Sequence, residues 1–353
     1  MVKIVLSLLI MIFSTYVQVY ASQPREIPYA HALSRAISRN VAISPLDREA
    51  RQLNALARDL KSKYLETLNV DRSEAQVIYG QRLTAIAERD RIQRERDWLV
   101  LSVELDLRRH LANIAGYKLS TEVLENSLKL QELALEHVKL RRYHGMAGDL
   151  DVSEAMRSLE QSVLDLETLS FVLENERQQL NLLINHPVTA NIRILYDVND
   201  FEPLPEEDEV ESFVRRQIER DHNLLNRRRE VEVRHHEWRR HLYDPTVDRD
   251  YTRLQHQLAI LERDMAERQA ELTVRNALSE WYMLVEEAES LKIALSQAVL
   301  DYGDMQNRLD AGMVTQIQVN TAAMALTRQK AELARHNYDF WIARLTVSHP
   351  YIR

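Results

Sequence analysis

Apolar residues in this chain of 353 residues recur every three or four positions over long distances. From about 151 to 185, Val152, Met156, Leu159, Val163, Leu166, Leu173 and Leu180 keep that spacing, with Ser170 and Arg177 interrupting. From about 246 to 311, Val247, Tyr251, Leu254, Leu258, Leu261, Met265 and Leu272 repeat it. This is the narrow seam of a coiled coil rather than the broad stripe of a globular helix. The pattern predicts helices over about 28–40, 46–68, 73–144, 151–185, 206–242, 246–311 and 315–348. Ser44 and Pro45 read as a helix start, and Ser73 with Gln76 as a capping box for the next helix. Pro187, Pro245 and Pro350 mark stops. Only 188–206 reads as extended: Asn191 to Tyr196 alternates briefly before Pro203 and Pro205. At ~1.5 Å per residue, a helix over 73–144 spans on the order of 100 Å. A globular core has no use for that length; a coiled coil or the wall of a helical barrel does.

One stretch is said twice. RRYHGMAGDLDVSEA at 141–155 returns as RLDAGMVTQIQVNTA at 308–322, through a single fixed shift without a gap. Arg141 falls on Arg308, Gly145-Met146 on Gly312-Met313, Leu150 on Ile317, Val152 on Val319 and Ala155 on Ala322. A glycine between two helical runs reads as a tight turn, because glycine enters positive φ without a Cβ clash. Each copy is thus the tip of a helical hairpin, and the expected fold is all-α: two tandem long hairpins joined by a minimal strand-like linker. The division expected is 1–21 as a signal peptide, 22–187 as the first repeat, 188–206 as the linker and 207–353 as the second repeat.

Composition agrees. The 6 glycines and 8 prolines leave few turns, so the elements between them are long. A net charge of −8 argues against a nucleic-acid partner. Cysteine is absent, which removes disulfides, thiolate chemistry and lipid attachment through cysteine. Lys3, the apolar run from Ile4 to Phe13 and the Val19-Tyr20-Ala21 site form a secretory signal, so an exported, periplasmic chain is expected. After Ala21 no apolar run approaches the length of a membrane helix. No Gly-x-Ser-x-Gly, P-loop or Gly-x-Gly-x-x-Gly motif occurs, so neither an enzyme nor a bound cofactor is expected.

The layout and the paired tips resemble the TolC family of outer-membrane efflux proteins. The family's tip signature, a basic residue, then Gly-apolar, then Asp-Val six residues after the glycine, is met by Arg141, Gly145, Met146, Asp151, Val152 and Ala155. The second copy gives Arg308, Gly312, Met313, Val319 and Ala322. Asn40 and the run from Arg220 to Leu225 are weaker echoes of the family's entry motif. The resemblance implies a homotrimer whose hairpins line a hollow periplasmic cylinder. The tips would face a periplasmic adaptor and an inner-membrane pump, and the other end would continue into a membrane β-barrel. Here the sequence departs from the pattern. The barrel strands belong near 69–73 and 243–247, where about five residues stand in for the ~20 that a strand pair needs. Attachment to the membrane is therefore expected to be peripheral. The competing reading is a periplasmic coiled-coil scaffold or adaptor without a channel.

Candidate residues follow from both lines. Gly145, Met146, Gly312 and Met313 are adaptor-docking candidates, Met being soft enough for a tip interface; the alternative is a plain turn with a packing methionine. Asp149, Asp151 and Glu154 are candidate tunnel-mouth acids, or acids that favour the positive end of a helix. The family's acidic gate is not carried into the second repeat, where Gln318 and Thr321 are neutral. The basic run 227–241 offers Arg227, Arg228, Arg234, Arg239 and Arg240 as candidates for contact with anionic lipid or another subunit, or as a solvated face. His235-His236-Glu237 lacks the spacing of a zinc helix, and adjacent histidines point to different faces, so no metal is expected there.

Overall fold

The computed structural model describes residues 24–198 and 209–352. The expected signal peptide, 1–21, and the linker residues Pro203 and Pro205 lie outside the described residues. The chain opens with β1 (Arg25–Pro28), α1 (Tyr29–Arg39), α2 (Ile43–Thr67), α3 (Arg72–Tyr143) and α4 (Asp149–Leu183). After β2 (Ile192–Leu195) come α5 (Val210–Ile218), α6 (His222–Arg239), a 3-10 turn over Arg240–Leu242, α7 (Arg249–Asp310) and α8 (Gln316–Ser348). The all-α hairpin architecture is as expected. Several boundaries differ, for physical reasons. Asp71, not Ser73, caps α3, its carboxylate accepting from the backbone N–H of Ser73 and Glu74. α2 starts at Ile43, ahead of the expected Leu46, and carries Pro45 in its first turn, where a missing N–H costs nothing. The helix expected over 206–242 is two helices, because Asp221 takes an extended backbone and accepts from the N–H of Leu224 as a new N-cap.

The duplication is visible in the backbone. α3 ends at Tyr143 and α7 at Asp310; α4 begins at Asp149 and α8 at Gln316. The two strands pair in parallel with Arg25 opposite Ile192 and Pro28 opposite Leu195. Every register partner is thus related by the same shift that carries Gly145 onto Gly312. β1 was not foreseen: a short strand with one buried side chain, Ile27, carries no period to read.

Around this strand pair lies the main core. Ile27, Ala32 and Ala36 meet Val103, Leu107 and Leu111 of α3, Leu180 and Ile184 of α4, Ile194 of β2 and Trp341 of α8. A second core joins Val214 of α5 to Val274, Ala277, Leu278 and Trp281 of α7 and Val347 of α8. From these cores the helices run both ways. Toward the tips, α4 packs on α3, α3 on α8 and α8 on α7. Toward the opposite end, α2 packs on α3, α3 on α6 and α6 on α7. The molecule is a layer of helices in which α3 is interior along its length, and α7 is one edge. α2 and α4, end to end, form the other.

Candidate functional site: the hairpin tips and the open edges

Both tips close by one mechanism. Gly145 sits at φ 71° and Gly312 at φ 70°, the left-handed region that a side chain with a Cβ resists. The Gly145 N–H donates to the Arg142 carbonyl (2.9 Å) and the Met146 N–H to the Arg141 carbonyl (2.8 Å). In the second tip the same bonds run from Gly312 to Leu309 and from Met313 to Arg308, both 2.8 Å. This satisfies the last carbonyls of the incoming helix. The outgoing helix is capped by the side chain of its third residue. Asp151 Oδ2 accepts from the Gly148 N–H, and Gln318 Oε1 accepts from the Thr315 N–H, each at 2.8 Å. Val152 and Val319 fold inward, buried, and anchor each turn. Met146 (61 % exposed) and Met313 (77 %) project into solvent.

The candidate acids have separate tasks. Asp149 pairs with Arg142 at 2.6 Å across the tip. Asp151 is the cap that Gln318 supplies in the other repeat, which explains why a charge can be lost there without loss of the turn. Glu154 is exposed. The five candidate arginines lie along α6 and its exit, and carboxylates hold four of them. Arg227 donates to Glu262 of α7 (2.8 Å), Arg228 to Glu219, Arg234 to Glu237 (2.8 Å), and Arg240 faces Asp244 (3.5 Å). Arg239 is exposed. His236 donates from Nε2 to the Gln76 carbonyl of α3 (2.9 Å); burial holds its pKa below the ordinary histidine value against that bond. Gly80 of α3 gives this ring its room, since a Cβ there would stand 3.1 Å from it.

Sequence reasoning missed what the edges present. Before Val274, Leu278 and Trp281 enter the second core, α7 packs within the chain through small residues, Ala259, Ala266 and Ala270. Its leucine seam, Tyr251, Leu254, Leu258, Leu261, Met265 and Leu272, is exposed. Nearer the tip α7 exposes Met283, Ile293 and Leu300, and the opposite edge, α4, exposes Met156, Val163, Leu164 and Phe171. The signal was present as apolar residues in excess of what one intrachain face needs.

Between α2 and α3 the chain turns at 68–71, and between α6 and α7 at 240–248; neither junction contains a strand. Among the described residues no helix is long and apolar enough to cross a membrane.

A layer of long helices with doubled hairpin tips and a two-strand waist is the fold of the TolC-like outer-membrane channels. Similar solved structures include the outer membrane protein VceC of Vibrio cholerae, with 12% identity and a TM-score of 0.60 over 91% of this chain and 95% of that one. The outer-membrane channel OprN matches with 13% identity and a TM-score of 0.63, over 91% and 88%. The open-state MtrE outer membrane channel of Neisseria gonorrhoeae matches with 13% identity and a TM-score of 0.53, over the same shares. No family model matches the sequence, and no curated protein matches it.

Proposed function

We propose that this chain is one protomer of a closed ring of three, a TolC-like conduit segment of an envelope efflux or secretion system, without enzymatic activity. The observation that carries the reading is the pair of open edges. Inside the chain, α3 of the first repeat is flanked by α6 and α8 of the second. Shifted by one repeat, that arrangement becomes α7 flanked by α2 and α4 of another copy. The exposed apolar residues on α7 and α4 supply the area. Such head-to-tail contacts close into a ring when the rotation between copies closes. The two repeats, 22–187 and 207–353, are then the ring's alternating units. The tips Gly145-Met146 and Gly312-Met313 dock on a periplasmic adaptor and through it on an inner-membrane pump. Asp149, Asp151 and Glu154 line the mouth.

Attachment to the outer membrane is peripheral in this reading, through a partner protein or through the Arg227–Arg240 face, where Arg239 is the cation of the set that no carboxylate among the described residues holds. Washing envelopes with high salt and then alkaline carbonate is expected to release the chain. Electron microscopy of the released particles is expected to show a hollow three-copy ring. A monomer or dimer with a filled core would instead support the scaffold reading, and retention through both washes would refute peripheral attachment.

The tips give a direct test in cells. Gly145→Val together with Gly312→Val forces β-branched residues into positive φ, at a cost of about 1–2 kcal/mol per turn. Nothing lies within 4 Å of either added Cβ, so the disturbance is one of backbone alone. Export and adaptor co-purification are expected to fall at least about tenfold, equivalent to about 1.4 kcal/mol of docking energy. The far-ultraviolet spectrum should stay helical. Unchanged export would sink the tip assignment.

A further inference from the structure

We infer that His235 on α6 and His256 on α7 form a cross-helix chelate for a borderline divalent transition ion of the Zn²⁺, Ni²⁺ or Cu²⁺ kind. The inference is independent of the conduit reading. The two imidazole rings lie with centroids 5.0 Å apart and planes tilted by 55°. A metal bound to imidazole sits in the ring plane, ~2.0–2.1 Å from its nitrogen and so ~3.2 Å from the ring centre. Two rings sharing one ion at an angle between octahedral and tetrahedral therefore have centres roughly 4.5–5.2 Å apart. The observed spacing falls inside that window.

The other histidines nearby are committed. His236 gives Nε2 to the Gln76 carbonyl, and the Nδ1 of His241 meets the Trp238 carbonyl. Neither His235 nor His256 is held by a hydrogen bond among the described residues. Their helices are fixed to one another by the ion pair of Arg227 with Glu262, two turns further along. The chelate is thus built on rigid elements and needs no ordering when the ion arrives. Trp238 covers it: its ring stacks on His256 at 5.5 Å and 12°, and meets His235 edge-on at 5.7 Å. No cluster of three or more metal-ligating side chains exists among the described residues. Water therefore completes the coordination shell, and the site is an exchangeable one rather than a closed structural one. Among these ions Cu²⁺ is held most tightly. A bound ion ties α6 to α7 beside the turn where the long helix begins.

The test uses the purified chain at neutral pH. Zn²⁺ is titrated by calorimetry, and Ni²⁺ by tryptophan fluorescence, in which Trp238 is the ring beside the site and the one a paramagnetic ion there quenches. One site per chain with micromolar affinity is expected. His235→Ala and His256→Ala should each weaken it at least about tenfold. Neither side chain is buried, so both variants should keep the helical spectrum. Trp238→Phe should keep the heat of Zn²⁺ binding and lose most of the Ni²⁺ quench. Absence of binding, or binding that neither histidine substitution weakens, overturns the assignment.

Discussion

Replacing Trp341 with alanine is expected to lower the unfolding free energy by about 3–5 kcal/mol. Trp341 is 5 % exposed and stands where both repeats meet at the strand pair. Its ring stacks on Tyr196 (5.2 Å, 15°) and takes Tyr29 edge-on (5.7 Å, 63°). The Arg108 guanidinium lies 4.8 Å over the same ring and donates to the Trp341 carbonyl at 2.8 Å. Arg108 also binds Glu104 at 2.6 Å, and the Tyr29 hydroxyl reaches that carboxylate at 3.3 Å. Burial, then the Glu104 charge, push the Tyr29 hydroxyl up to about 12, so it stays neutral and donates. Alanine would leave a cavity and strip the face from a partly buried cation at once. Trp341→Phe keeps most of the volume and should cost only about 1–2 kcal/mol. The denaturant midpoint measures both. A loss under about 1 kcal/mol for alanine, far below the usual cost of emptying such a site, would mean that the waist does not hold the two repeats together.

The long helices were legible because their punctuation is sparse and chemical. Gly145 and Gly312 announce positive φ, and the structure puts both within a degree of each other. The shift that relates the two tips carried more than the tips. It also relates Arg25–Pro28 to Ile192–Leu195, and that comparison could have exposed β1, which has no hydrophobic period of its own. The break between α5 and α6 was hidden for another reason. Glu219, Arg220 and Asp221 are good company for a helix, and neither glycine nor proline marks the bend; only the capping carboxylate of Asp221 decides it. The seams were legible as seams, but not their partners. In the first half of α7 the contacts inside the chain fall on Ala259, Ala266 and Ala270, which let backbones approach, so Leu254, Leu258 and Leu261 are left facing outward. At the tips, Asp151 and Gln318 looked like a charge lost in one repeat. Both are caps, and a cap needs an oxygen rather than a charge.

Asp90 was illegible for the opposite reason: its neighbours read as solvent. It sits in the run from Glu88 to Arg96, dense in charge of both signs, which looks like an exposed helix face. Yet Asp90 is 8 % exposed. One carboxylate oxygen accepts from Arg89 (Nε, 2.9 Å) and the other from Arg229 of α6 (Nε, 2.9 Å). Arg89 also reaches Asn54 of α2 (3.4 Å). One turn on, Arg94 donates to Asn226 of α6 (2.8 Å); burial lowers its pKa, and the Asp90 charge is what chiefly opposes that. A single acid therefore ties α2, α3 and α6 together across the two repeats. Asp90→Leu should cost about 2–4 kcal/mol, because it takes the counter-charge from Arg89 and the half-buried Arg94, while Arg229 keeps only Glu232 at 2.7 Å. The figure sits below that of a fully buried pair because Arg229 keeps 40 % of its side chain in water. Adding Arg229→Leu to Asp90→Leu should restore part of the loss, a coupling of at least about 1 kcal/mol in a double-mutant cycle. Additive losses would show that Asp90 and Arg229 act separately. If the double variant instead recovers fully, the pair contributes no net strength. Its role would then be to fix which face of α3 meets α6. Hydrogen exchange would read that as faster opening along α6 at unchanged global stability.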